Sequence, residues 1–412
     1  MKKSVPGVPF IMVSLFLATL GIGLVLPVMP KLIASFLGDD LIRASDYYGL
    51  FIAVYATMQF IFAPLLGGLS DRLGRRPVLL TSQLGAGLDY LLLACAPNLG
   101  WFFVGRVISG ITGASFSTAT AYIADVTPPE KRAQSFGLVG AAFGFGFIVG
   151  PAVGGVLSKI SLQAPFFAAS ALYGVNFLYG LFFVPESLAL EDRRPLAFAR
   201  ANPLGSLKNL GRHPIVLGLA VMLTFSFLAQ QILQSVWALY TEARYGWTVL
   251  DVGLSLGVVG LASAIIQGGL LRVIMPRLGE QRTLLFGTVM SALGFAAFGL
   301  STEGWMLYAF TFPFALRGLA QPSAQSLMTK HVGKNEQGEL QGSLASLLSI
   351  TAIIGPLVGT RLFARFGDHR RTPYIPGMPY FAAAALDLIG LVLALRLFAR
   401  MREADAAPAA GA

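Results

Sequence analysis

The sequence predicts an all-α integral membrane protein with twelve transmembrane helices, arranged as two pseudo-symmetric halves of six helices each. The first indication is composition, because hydrophobic residues make up 55% of the chain and charged residues only 12%. Such a chain has a surface suited to lipid rather than to water. The second indication is an internal repeat, in which Arg72 and Gly74 recur as Arg277 and Gly279, 205 residues further on. The repeat places the boundary between the halves near the middle of the chain.

Apolar runs of about 20 residues, which are long enough to cross a hydrocarbon core of about 30 Å, supply the spans. The first six runs lie at 8–30, 47–69, 78–97, 99–123, 134–157 and 163–184. The second six lie at 214–240, 251–272, 283–301, 305–327, 339–361 and 378–398. We therefore expect an N-terminal half at 1–185, a linker at 186–213, a C-terminal half at 214–400 and a tail at 401–412.

Basic residues in the short loops predict the orientation of the chain. Lysine and arginine are enriched in the cytoplasmic loops of membrane proteins. Here they concentrate on the side that holds both termini and the linker, as with Arg72, Arg75 and Arg76 between the second and third spans. We expect a multi-pass protein of the plasma membrane, or of a bacterial inner membrane, with both termini cytoplasmic. The net charge of +10 is then an orientation signal and does not indicate nucleic-acid binding.

The turn between the second and third spans contains a glycine- and arginine-rich motif. Its residues, 67–76, read Gly-Gly-Leu-Ser-Asp-Arg-Leu-Gly-Arg-Arg. Glycines allow a tight turn, Asp71 can face a helix N-terminus, and arginines can form ion pairs that change between conformations. The order of these residues resembles the signature loop of the major facilitator superfamily. The resemblance implies a gating role for Asp71, Arg72 and Arg76, as a cytoplasmic latch between the two halves.

The fifth span is rich in small residues. Its candidates for gating are Gly146, Gly150, Pro151, Gly154 and Gly155. Small residues let helices pack closely and slide, and a proline inside a helix bends it because its nitrogen carries no hydrogen to donate. Generic helix packing is one interpretation of this pattern. The spacing also resembles the antiporter motif of the superfamily, which implies export of a substrate in exchange for protons.

Stretches in both halves resemble bacterial tetracycline exporters of the drug:proton antiporter branch. They include 55–64, 88–94, 105–114 and 336–342. Those exporters carry acidic residues in helices 1 and 9 and a histidine in helix 8, and the matching positions here are Ala18, Ser291 and Ala262. The resemblance therefore implies membership of the branch, whereas the missing ionisable groups argue against tetracycline as the best substrate.

Four ionisable residues lie deep within predicted spans, namely Asp89, Arg106, Arg317 and Asp387. A charge there is costly unless it is paired or hydrated, so each is a functional candidate. Asp89 is either a proton carrier or a structural acid. Arg106 cannot release a proton, so it either favours the ionised form of a nearby acid or fixes a helix.

Arg317 and Asp387 belong to the same half, and two interpretations of them remain open. They either neutralise each other as an ion pair or act separately. In the second case Asp387 is a further proton-coupling residue beside Asp89 and Arg106, and Arg317 attracts an anionic group of the substrate.

The seventh span carries amides and aromatic rings at spacings of three and four residues. Its candidates for the substrate cavity are Phe225, Gln230, Gln231, Gln234 and Trp237. Gln59 of the second span and Arg317 of the tenth complete the set. A mixed polar and aromatic stripe is suited to a large amphiphilic ligand. The aromatic rings are equally compatible with packing, whereas an amide in lipid needs a hydrogen-bonding partner.

The sequence contains no metal-ligand spacing, nucleotide-binding glycine loop or nucleophile–base arrangement, so we expect no cofactor and no enzyme activity. Two membrane halves suit a carrier, whose energy would come from a gradient. The leading hypothesis is proton-coupled export of amphiphilic small molecules by alternating access. The alternative is a facilitator or symporter for a native metabolite, for example an anion. The expected partners are the substrate, protons and the lipid bilayer, with the protein acting as a monomer and binding no nucleic acid.

Overall fold

The protein is described by a computed structural model at residues 7–113, 115–128, 132–193, 210–333 and 336–406, and these residues contain helices but no β-strand. The first eight helices are α1 (Gly7–Val25), α2 (Met29–Ser35), α3 (Leu41–Leu73), α4 (Arg75–Ala94), α5 (Leu99–Thr112), α6 (Ser115–Val126), α7 (Arg132–Leu157) and α8 (Ala164–Phe183). The next eight are α9 (Pro214–Tyr245), α10 (Val249–Ile265), α11 (Leu271–Leu278), α12 (Glu280–Leu300), α13 (Gly304–Ala315), α14 (Ala320–Lys330), α15 (Gln337–Phe366) and α16 (Met378–Ala406).

Each of the twelve predicted spans contains helix, but several spans are interrupted. The first is a pair, α1 and α2, bent by 41°. The eighth contains a π-helical turn, Ile266–Leu270, between α10 and α11, and the tenth contains a 3-10 turn, Leu316–Leu319, between α13 and α14. Within the described ranges, nine helices are long and apolar enough to cross a membrane, or ten with the bent pair counted as one span. The all-α membrane fold is confirmed, and the count of twelve crossings stays a prediction.

The chain forms two compact units. Unit 1 comprises Met1–Asn202 with Gly246–Gly260, and unit 2 comprises Pro203–Tyr245 with Leu261–Ala412. The expected division into halves at 1–185 and 214–400 stays a prediction. Within the expected linker, 194–209 lie outside the described residues, as do 407–412 of the expected tail.

Unit 1 is held together by close helix packing and a buried polar network. Helix α1 packs on α7, α4 on α8 and α3 on α5. The Ser14 hydroxyl donates to the Asn176 side-chain oxygen at 2.7 Å, and the Gln83 amide donates to the Ser14 hydroxyl at 2.6 Å. These bonds join α1, α4 and α8, so the buried polar groups fix the relative rotation of three helices.

Unit 2 is built around α9, which packs on α15 and α16, while α12 also packs on α16. An aromatic cluster lies among α9, α12, α13 and α16. It contains Tyr240, Phe295, Phe298, Phe314 and Tyr380, whose ring centroids lie 4.8–6.1 Å apart in edge-on pairs. Edge-on geometry is favoured because the positive edge of one ring meets the negative face of the next.

Candidate functional site

A buried ion pair joins α4 to α5 in unit 1. Asp89 is 1% exposed and Arg106 is 8% exposed, and the Arg106 Nη2 lies 2.6 Å from the Asp89 Oδ2. The ring of Tyr55 lies beneath the guanidinium, 5.9 Å from its carbon. The structure therefore brings together the acidic candidate of the first half, Asp89, and its basic candidate, Arg106. The guanidinium offsets part of the cost of burying a carboxylate, and a proton that binds Asp89 would leave the arginine without a counter-charge.

The Asp89 site is closely packed, yet it contains polar atoms without a hydrogen-bond partner in the described part of the chain. The helix backbone at Gly105 passes so near that an added Cβ would lie 2.7 Å from the Asp89 Oδ1. The same oxygen and the Arg106 Nε have no hydrogen-bond partner within the described residues. A buried polar atom without a partner is uncommon and costs free energy, so this site is a functional candidate by geometry as well as by sequence.

The expected cavity residue Gln59 lies close to this pair. Its amide nitrogen donates to the Tyr55 hydroxyl at 3.2 Å and to the Gly113 carbonyl at 3.1 Å. Gly113 is the interruption between α5 and α6. Gln59 therefore satisfies a backbone carbonyl that the helix break leaves free, and it connects α3 to the fourth predicted span.

The buried acid of unit 2 has a different environment. Asp387 on α16 is 0% exposed, and its Oδ1 accepts a hydrogen bond of 2.7 Å from the Ser226 hydroxyl of α9. The Ser291 hydroxyl of α12 interacts with the same carboxyl group. The Asp387 Oδ2 accepts no hydrogen bond from the part of the chain that the structure describes.

Arg317 and Asp387 do not form a direct ion pair in the described structure, although their charges interact at longer range. Arg317 lies in the 3-10 turn Leu316–Leu319, where its guanidinium carbon lies 4.7 Å from the centre of the Phe314 ring. The side chain is half-buried. The geometry favours two separate groups over mutual neutralisation.

The turn that holds Arg317 lies against the π-helical turn Ile266–Leu270. At Gly318 an added Cβ would lie 3.2 Å from the Gln267 side chain. Irregular turns within membrane helices leave backbone groups free and often mark functional positions. Sequence analysis missed this pairing, although Gly268 and Gly269 were a visible signal in the eighth span.

The seventh-span candidates divide into buried and accessible groups. Trp237 is 4% exposed and packs edge-on against Phe298 at 5.4 Å, which is the environment of a core residue. Gln234 is exposed, while Phe225, Gln230 and Gln231 are half-buried. Within the residues described, the Gln230 Oε1 is buried without a hydrogen-bond partner. Gln230 is thus the amide of this group with an unmet hydrogen-bonding requirement.

The turn between α3 and α4 is held by residues that sequence analysis had not assigned. Gly74 has a φ of 110°, which favours glycine. The Glu186 carboxylate accepts hydrogen bonds from the Arg75 backbone nitrogen at 2.8 Å and from the Arg76 backbone nitrogen at 3.2 Å. Glu186 therefore occupies the helix N-terminus that we expected Asp71 to face.

Ion pairs at this turn centre on Arg75. Its guanidinium pairs with Asp71 at 2.5 Å and with Asp125 at 3.0 Å. Arg76 instead donates to the Leu181 carbonyl, and Arg72 is exposed. Asp125 and Glu186 come from distant parts of the chain, so no local pattern in 67–76 could identify them.

The small residues of α7 form two packing surfaces within unit 1. Gly146, Gly150 and Gly154 face α1, and a Cβ at Gly154 would collide with the Leu24 carbonyl oxygen. Gly155 faces Leu250 on the other side. These glycines allow backbone-to-backbone contact, and Pro151 lies inside the helix between them.

Comparison with known proteins places the chain among membrane transporters. The model of the Major Facilitator Superfamily matches residues 11–356 and 273–412. The chain is 40% identical to the class C tetracycline resistance protein of Escherichia coli over 91% of this chain and 93% of that protein. It is also 40% identical to the class E tetracycline resistance protein of Escherichia coli, over 86% and 87%. The fold is similar to that of the human organic anion transporter MFSD10, with a TM-score of 0.70, 24% identity and coverage of 96% and 100%.

Proposed function

The chain belongs to the Major Facilitator Superfamily, and from that premise we propose that it exports amphiphilic small molecules in exchange for protons. It is a multi-pass membrane transporter and not an enzyme. Its relatives are tetracycline resistance proteins that it matches over most of both chains, which supports drug export. The observation that carries proton coupling is the buried Asp89–Arg106 ion pair.

The proton step follows from the chemistry of that pair. In the structure the Asp89 carboxylate balances the Arg106 guanidinium at 2.6 Å. A proton that binds Asp89 removes its charge and leaves Arg106 without a counter-ion in a buried site, which is unfavourable unless the helices move. Binding and release of one proton therefore changes the relative stability of two conformations, as alternating access requires.

Gating is assigned to the α3–α4 turn and the α7 glycines. The Asp71–Arg75–Asp125 ion pairs and the Glu186 cap are made between elements that a conformational change could separate. Gly146, Gly150, Pro151, Gly154 and Gly155 would let α7 shift along its neighbours. We place this turn, both termini and the linker in the cytoplasm, and the functional unit is a monomer.

As substrate-binding residues we propose, in unit 2, Gln230, Gln231, Gln234 and Phe225 of α9 with Arg317, and, in unit 1, Gln59. Trp237, which we expected to line the cavity, supports them from the core. Ala18, Ser291 and Ala262 stand where tetracycline exporters carry ionisable groups. Tetracycline should therefore be a weaker substrate than another amphiphile.

The test uses purified protein in liposomes with an imposed pH gradient and three probes, which are the cation ethidium, the anion fluorescein and tetracycline. Wild-type protein should drive at least one probe against its gradient while protons move the opposite way. Asp89→Asn should abolish the driven movement, because an amide cannot titrate, and should retain probe exchange without a gradient. Glu303→Gln, which removes an exposed acid, is the matched control. Proton-driven transport by Asp89→Asn at the wild-type rate would remove Asp89 from the proton path.

A second candidate function is symport of an anionic metabolite. The observation that favours it is Arg317, a half-buried guanidinium without an ion-pair partner in the described residues. An anion bound to Arg317 would remove counter-charge from Asp387 and favour a proton there, so anion and proton would move together. Fluorescein uptake with protons moving in the same direction would select this candidate over export.

A further inference from the structure

The second half of the molecule buries a carboxyl group where three helices meet. Asp387 of α16 is fully enclosed, with the Ser226 hydroxyl of α9 at 2.7 Å from its Oδ1. The Ser291 hydroxyl of α12 interacts with the same group. Ser226 thus supplies a hydrogen bond to an acid on another helix, and Ser291 lies on a third helix near the same group. A hydrogen bond to one of its oxygens gives the carboxyl group a preferred orientation.

The charges around Asp387 are too few to stabilise a carboxylate. Of the described side chains that interact with it, two are neutral hydroxyls and the third is Arg317, which makes no direct contact. An ionised carboxylate that is buried without a direct counter-ion is strongly unfavourable, so the neutral acid fits this site in this conformation. The Oδ2, which accepts no hydrogen bond from any described residue, is the oxygen that can carry the proton.

The route by which the charge state could change also lies within unit 2. Ser291 and Gly294 are three residues apart on α12, and a Cβ at Gly294 would lie 2.5 Å from the Phe314 ring. That ring carries the Arg317 guanidinium at 4.7 Å. A small shift of α13 relative to α12 would therefore change the distance between Arg317 and Asp387. Approach of the guanidinium would favour loss of the proton to water, and withdrawal would favour its return.

We propose that Asp387 is a second proton-binding site, separate from Asp89, and that Ser226 and Ser291 are the residues that position its carboxyl group. The site takes one proton on Oδ2 and returns it to water without any other chemical change. This inference rests on the proposed proton-coupled transport. It predicts that the two halves of the molecule each contribute one titratable acid.

The first experiment compares driven transport with exchange in liposomes, using ethidium, fluorescein and tetracycline as probes. Asp387→Asn should lower proton-driven movement at least tenfold and leave exchange without a gradient within about twofold of wild type, because substrate still binds. Equal loss of both activities in well-folded protein would make Asp387 structural and overturn the inference. Full driven transport would also overturn it.

The second experiment tests the two serines through the pH profile. The double variant Ser226→Ala with Ser291→Ala lacks the hydroxyls that stabilise the carboxylate. The midpoint of its transport rate plotted against pH should therefore move upward by about one pH unit. Ser226→Thr with Ser291→Thr keeps both hydroxyls and should restore the wild-type midpoint. An unchanged midpoint in the alanine variant, or failure of the threonine variant to restore it, would mean that the serines only pack.

The third experiment moves the carboxyl group across the contact. Asp387→Ser combined with Ser291→Asp places the acid on α12, facing the same site. Driven transport should exceed that of Asp387→Ser alone at least threefold. No recovery in a protein that retains exchange would contradict a role for the site itself. If the wild-type protein moves no protons with any probe, the proposed function itself is wrong. If the wild-type protein and Asp387→Asn both couple probe movement fully to protons, only the inference about Asp387 is wrong.

Discussion

Each unit of the molecule has an aspartate and an arginine within its predicted spans, and the two units arrange them differently. In unit 1 the Asp89 and Arg106 side chains are in direct contact at 2.6 Å. In unit 2 the Asp387 carboxyl group accepts a hydrogen bond from the Ser226 hydroxyl, and Arg317 lies over the Phe314 ring instead. The same two residue types thus give a paired site in one half and a separated site in the other.

The two sites differ in the groups that surround the carboxyl group in this conformation. Asp89 has a counter-charge in direct contact, whereas Asp387 has a hydroxyl in direct contact and Arg317 only at longer range. If both acids take part in the proposed proton coupling, these different environments would let the two sites act at different steps of the cycle.

The turns at Gly74 and Gly279 also have similar backbones but different side-chain partners. Both glycines have positive φ, 110° and 75°. The first turn is held by Glu186, which caps α4, and the second begins a helix whose Glu280 pairs with Lys330 at 2.7 Å. Turn geometry repeats between the halves, whereas its ion pairs do not.

The largest expected effect comes from removing each arginine. Arg106→Met leaves the Asp89 charge unpaired and should lower the free energy of unfolding by about 3–5 kcal/mol, whereas Arg317→Met leaves a neutral acid and should cost less than about 1 kcal/mol. Thermal unfolding in detergent measures both. Asp89→Asn combined with Arg106→Met should recover most of the loss. Equal costs for the two arginines would show that unit 2 also holds an ion pair.

The second prediction tests how tightly the Asp89–Arg106 site is packed. Gly105→Ala would push against the Asp89 Oδ1 and should destabilise the protein by about 1–3 kcal/mol, with reduced proton-driven transport. Gly174→Ala, where an added Cβ meets open space, is the control and should be neutral or stabilising by up to about 1 kcal/mol. Indistinguishable unfolding temperatures for the two variants would mean that the pair tolerates displacement.

The third prediction compares the two turns. Gly74→Ala combines an unfavourable φ with a collision against the Glu186 carboxylate, while Gly279→Ala carries the φ penalty alone. Each φ penalty is about 1–3 kcal/mol, so Gly74→Ala should be the more damaging of the two. Reactivity of cysteines introduced beside each turn, in a Cys95→Ser background, would also report a changed gating balance for Gly74→Ala. A larger effect at Gly279 would contradict the importance of Glu186.

The smallest effect is expected at an exposed contact of unit 2. The Gly333 backbone N–H, which donates to the Glu336 carboxylate, and the neighbouring His213 together hold the pKa of Glu336 below its usual range. A lowered folded-state pKa stabilises the protein above the unfolded pKa, and this contribution is lost as the pH falls through the folded pKa. Glu336→Gln should therefore differ slightly from wild type at neutral pH and converge with it in strong acid. Unfolding temperatures measured across that range would test it, and parallel curves would exclude the contribution.

Much of the architecture was readable from the sequence. Composition and apolar runs predicted an all-α membrane protein, which is confirmed, and sequence resemblance predicted the superfamily, which the family match confirms. The cost of intramembrane charge singled out Asp89, Arg106, Arg317 and Asp387. Hydropathy and charge cost belong to individual residues and short windows, so they need no knowledge of neighbouring helices.

The partners of those residues were decided only by tertiary structure. The sequence left open whether Arg317 pairs with Asp387. It also left open which arginine of the turn forms ion pairs, and in the structure Arg75 pairs with Asp71 and Asp125. Ser226 lies 161 positions from the acid that it contacts. Which side chains meet depends on how each helix is rotated about its axis and where it is interrupted. Those rotations are fixed by packing along whole helices, and no local pattern of residues specifies them.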